Sequence, residues 1–143
     1  MGFLDKLKRK PQLPTTVSPY AAAGVLLMII AAKNPDENTA EFKRILEKLP
    51  KRSSDDGDEA QRLILEPHAD RSSKIAICKN SLDMDQRLFV IANMIEIAMA
   101  DGTIQNEEQE DFEYLVAALE VNSSAVEKIV EVMGIKNNFA AFA

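Results

Sequence analysis

The chain has 143 residues, 23 acidic and 17 basic side chains, a net charge of −6, one cysteine, one histidine and no tryptophan. One domain is expected at this length, and the acidic balance argues against nucleic acid, which needs a basic surface on its partner. The single Cys78 leaves no internal disulfide and fits a reducing compartment, and the single His68 rules out histidine-rich metal or relay sites.

In chain order, residues 1–17 form a basic N-terminal segment and proline-rich linker. The opening Met1-Gly2-Phe3-Leu4-Asp5-Lys6 lacks the long apolar core and small-residue cleavage site of a secretory signal. Phe3, Leu4 and Leu7 share one face of a short amphipathic turn, and Lys6, Lys8, Arg9 and Lys10 surround the other. Such segments add charge attraction to apolar burial, so these seven residues are candidates for contact with an anionic membrane or a protein partner. A solvated, frayed terminus is the plainer alternative. Pro11, Pro14 and Pro19 make an extended linker. The expected location is cytoplasmic, with membrane association through this segment.

A helical domain is expected over 18–134, with a loose tail over 135–143. Ser18 or Pro19 opens a first helix to about Lys33, apolar on nearly every face, as a central core helix should be. Its apolar run, Tyr20 to Ala32, has 13 residues against the roughly 20 needed to span a bilayer. Asn34-Pro35-Asp36 ends it. A second helix, about Asp36 to Leu49, carries the stripe Phe42, Ile45, Leu46, Leu49. After a polar loop come a third helix to Leu65, stopped by Pro67, and a fourth from about Ala69 to Asn80. Ser81 or Asp83 caps the fifth, Met84 to Ala100, again apolar almost all round. Within it, Glu96 beside Asn93 reads as a solvent edge or a buried polar contact. A sixth helix covers about Asn106 to Leu119, and Ser123 or Ser124 caps a seventh ending at Gly134. Met28, Met84, Met94 and Met99 read as core.

The last helices echo the first. Phe112, Leu115, Val116 and Leu119 repeat the earlier stripe at an offset of 70, while Ala31-Ala32-Lys33 falls on Met99-Ala100-Asp101 at an offset of 68. The repeated unit is a buried helix, a tight loop and an amphipathic helix. Two such units can pack around a pseudo-twofold axis into one all-α bundle.

Ala100 to Glu108 is the most informative stretch for function. Gly102 permits a sharp turn at the helix end. Asp101 stands at a helix C-terminus, where the helix dipole disfavours an acid. Glu108 lies four residues before Phe112 and so projects onto the apolar face, under the loop. Asp101 and Glu108, with Glu107 as a further candidate, can converge with loop carbonyls into an oxygen-rich site suited to Ca²⁺ or Mg²⁺. Simple capping by acids in a helix's first turn explains the same residues without an ion. The loop lacks EF-hand spacing. Elsewhere no phosphate loop or nucleophile elbow occurs. His68 reads as a surface or capping group, and Cys78 as core.

At these residues the chain resembles the tellurite-resistance TerB family. The resemblance rests on Ile97-Ala98-Met99-Ala100-Asp101-Gly102, Ile104, Glu108 and the opening Gly2-Phe3-Leu4-Asp5-Lys6, and the helix order matches over about residues 18–134. It implies a helical bundle with acidic sites for a divalent metal and a non-catalytic binding or scaffolding role. That role would lie in stress-response systems near the inner membrane, or in bacteriophage and mobile-element defence. The first half departs from the family: Lys33 stands where an Asp is expected, Asn34-Pro35 replaces the glycine, and Asn38 stands where Glu108 has its counterpart. Any cation site is therefore expected in the second repeat. The function expected is a non-enzymatic TerB-like module, bacterial or phage in origin, that binds a protein partner and a divalent cation. The alternative is a ligand-free interaction protein tethered to a partner or membrane by its basic N-terminus.

Overall fold

The computed structural model describes residues 13–32, 35–51, 54–99 and 106–142, without the side chains of 35–38 and 106–108. The basic residues 1–10 and the departures Lys33 and Asn34 lie outside the described residues, as does the side chain of Asn38. Within them the regular structure is helical: α1 (Pro19–Ala31), α2 (Pro35–Lys48), α3 (Asp56–Leu65), α4 (Arg71–Ser81), α5 (Met84–Ala98), α6 (Asn106–Ala118), α7 (Ser123–Lys136) and a 3-10 turn (Phe139–Phe142).

Helix starts follow local chemistry. Ser18 caps α1, its hydroxyl accepting from the Ala21 N–H at 3.1 Å, with Pro19 in the first turn, where no donor is needed. Asp70 caps α4 by accepting from the Ser73 N–H at 2.8 Å, and those hydrogen bonds hold its carboxyl below the ordinary value. Asp83 and Gln86 form a reciprocal capping box at α5. The seventh helix differs from expectation at both ends. Asn122 is its cap, accepting from the Ser124 and Ala125 N–H groups, and the helix runs through Gly134 to Lys136. A glycine costs a helix only about 1 kcal/mol, and Met133, packed on the core just before it, holds the turn in place.

α1 is the hub. Leu26, Leu27 and Ile30 are fully buried, and the helix touches α2, α3, α4, α5 and α6. α5 packs against α1, α2, α6 and α7. Each buried helix therefore touches both amphipathic helices, as two related units would require. The repeat also gains a third member, since α3 lies on α1 as α7 lies on α5. Of the methionines read as core, Met94 is buried and Met28 and Met99 are half-buried, but Met84 is exposed at the first position of α5. Glu96 is half-buried and accepts from Lys136 Nζ at 2.6 Å, so it combines a solvent edge with a polar contact whose partner comes from α7.

Helix ends are tied by cations. The Arg87 guanidinium donates to the carbonyls of Lys79 (2.9 Å), Leu82 (3.1 Å) and Leu119 (3.1 Å), closing the C-termini of α4 and α6 together. Beside it Glu120 takes a left-handed conformation (φ 52°) and pairs with Lys79 at 2.8 Å. Lys74 Nζ donates to the Ile64 carbonyl at the end of α3, at 2.6 Å. No helix among the described residues is long and apolar enough to cross a membrane.

Candidate functional site

The acidic loop joins α5 to α6. α5 ends at Ala98 with Met99 as its cap residue, and Asp101, Gly102 and Ile104 lie outside the described residues. The backbone places 107 and 108 in the first turn of α6, but the side chains of Glu107 and Glu108 are also outside them. The expected meeting of Asp101 and Glu108 therefore falls beyond what is described. The seven candidate contact residues of the N-terminus do so as well.

The described rim of the loop is informative. Asp111 is buried and accepts from Arg71 Nη2 at 2.7 Å, an ion pair from α6 to α4. The Arg71 guanidinium also lies 5.4 Å from the centre of the Tyr114 ring. Asp111 is not among the residues expected at the site. The signal was present, because Asp111 continues the face that carries Glu108, Phe112 and Leu115, at helical spacing. Its acid is drawn inward by a cation 40 residues earlier in the chain. On the outer face, Gln109 donates to Glu113 at 3.3 Å, one turn along the exposed side.

Behind the loop ends, α5, α6 and α7 leave an apolar cleft of 370 Å³. Ile30, Met94, Met99, Phe112, Val130 and Gly134 line it, with Gln109 and Glu113 at its rim. Its chemistry suits an apolar side chain or ring rather than a charged group.

A divalent cation needs several oxygen donors, six to eight for calcium. Among the described residues no group of three or more His, Cys, Asp or Glu side chains could hold one, and Asp111 already faces the Arg71 guanidinium. The described side chains do not by themselves fit a metal cage.

Cys78 is fully buried, and burial pushes its thiol up to about 12, so it is held as an inert thiol rather than a nucleophilic thiolate. His68 is exposed, as expected, its backbone N–H donating to Glu66 at 3.0 Å.

Two related helix groups wrapped around buried α1 and α5, with an acid-bearing loop at the end of the second, define a small all-helical bundle domain. The family model described as Tellurite resistance protein TerB matches residues 20–131. The chain belongs to the TerB family, whose domains are generally non-catalytic helical units. Comparisons with curated proteins and with solved structures returned no match.

Proposed function

We propose that this chain is a non-enzymatic binding and scaffolding module of a tellurite-resistance, stress-response or phage-related system in the cytoplasm. The family match over residues 20–131 is the observation that carries this reading. The inert burial of Cys78, the one cysteine, agrees with it.

Within that reading, Asp101 and Glu108, with Glu107 beside them, bind Ca²⁺ or Mg²⁺ with loop carbonyls and set the shape of the acidic end of the bundle. The motif around Asp101-Gly102 supports this, as does the placement of 107 and 108 in the first turn of α6. Residues 1–10 add a basic amphipathic contact to a protein partner or an anionic membrane surface.

Thermal unfolding tests the cation part. The full chain is melted in EDTA and then with Ca²⁺, Mg²⁺, Mn²⁺ or Zn²⁺, as wild type and as Asp101→Asn. An ion at about 100 times its dissociation constant should add roughly 2.7 kcal/mol, or about 5–15 °C in midpoint for a chain of this size. Wild type should shift and Asp101→Asn should not. Equal midpoints with every ion would leave the second reading, a ligand-free interaction protein whose acidic loop only caps a helix.

A further inference from the structure

The outward face of α7 and the 3-10 turn is apolar and uncovered. Val126, Ile129 and Met133 turn α7 towards the core. On the opposite side Val132 is 60% exposed and Ile135 71%, and in the turn Phe139 is 78% and Phe142 96% exposed. Val132 and Ile135 stand three residues apart on α7, and Phe139 and Phe142 three residues apart in the 3-10 turn that follows it, so an apolar seam runs from the helix into the turn. Four large apolar side chains within eleven residues, each more than half in water, are unlike the scattered single exposures of an ordinary surface.

We propose that this face pairs with the same face of a second copy of the chain. Two observations select that occupant. The first is area. At about 150–250 Å² for each phenylalanine and on the order of 100 Å² for each aliphatic side chain, each scaled by its exposed fraction, the stripe offers roughly 400–600 Å² of apolar surface. Interfaces are about 56–65% apolar, so this corresponds to the roughly 800 Å² per partner of a standard interface.

The second observation is charge. The ionised groups of the second half of α7 and its approach are Glu127, Lys128, Glu131 and Lys136, with zero sum, and none follows as far as Phe142. An anionic lipid surface would find no excess of positive charge on this face and so would gain no charge attraction from it. Two identical seams of zero local charge need no such attraction, and a twofold axis makes one patch complementary to itself. The inference stands apart from the cation reading, since none of these residues belongs to the acidic loop.

Sedimentation equilibrium on the full chain tests it, from about 1 µM to about 500 µM, the range in which an interface of this size should populate a dimer. Mass should rise with concentration from 15.9 kDa towards twice that value. Ile135→Glu and Phe139→Glu should each raise the dimer dissociation constant at least ~10-fold. Their helical circular dichroism should match wild type, because both side chains are exposed. Leu65→Glu, an exposed apolar position on α3, should leave the constant unchanged and so separate the seam from general stickiness. A constant monomer mass would overturn the proposal, as would a dimer indifferent to both seam variants. A monomer that binds phosphatidylcholine vesicles through these same residues would also overturn it, in favour of a lipid surface.

Discussion

Arg87 shows how one side chain can hold two elements. A helix ends with carbonyls that lack partners, and here one guanidinium reaches three of them, two at the end of α4 and one at the end of α6. Arg87→Met should destabilise the chain by about 2–3 kcal/mol, read by urea unfolding. Arg87→Lys should recover little, because an ammonium cannot span the fork. Loss of less than about 0.5 kcal/mol would show that water replaces these bonds at no cost.

Cys78 gives a pH signature. In the unfolded chain its thiol ionises near 9.0, but burial raises it to about 12 in the fold. The folded state keeps the proton longer, so stability from this group is full below about pH 9 and is lost as pH rises from 9 towards 12. Relative to Cys78→Ala, wild type should lose about 1 kcal/mol per pH unit above 9. Unfolding curves of the two proteins between pH 7 and pH 10.5 check this, and parallel curves would contradict it.

At the scale of elements, α1 illustrates packing that leaves room for improvement. Gly24 sits mid-helix and buried, where a Cβ would meet Leu46 at 3.7 Å and Ala60 at 3.8 Å, ordinary contact distances. Gly24→Ala should therefore stabilise the chain by about 0.5–1 kcal/mol through helix propensity, measured as a rise in denaturant midpoint. A fall would mean that α2 and α3 must move apart to accept one methyl group. The caps of α1 and α5 were legible to within a choice of two residues because a cap is local chemistry: Ser18 rather than Pro19 caps α1, and Asp83 rather than Ser81 caps α5, where Gln86 completes the capping box. The end of α7 was not legible, because the contacts on either side of Gly134 are tertiary: Met133 packs on the core, and Lys136 reaches Glu96 on another helix.

For the whole molecule, the paired stripes of α2 and α6 were readable because an offset of 70 survives in the sequence and both stripes face the core. The third helix of each unit was not readable, since α3 and α7 share no residue pattern and are related only by the helices they cover. The site was legible in part. Asp101 at a helix end and Glu108 on the apolar face stand out in the sequence, but the burial of Asp111 depends on Arg71, which only tertiary packing brings near.

The most direct measurement of the central claim, a TerB module whose second repeat binds a divalent cation, is an amide chemical-shift titration of the full chain with Ca²⁺ and with Mg²⁺. The claim expects saturable shifts centred on the amides of residues 101–108, absent in Asp101→Asn and absent around Lys33 and Asn38 in the first repeat. No saturable shift at those amides, or an unchanged shift in Asp101→Asn, would contradict it.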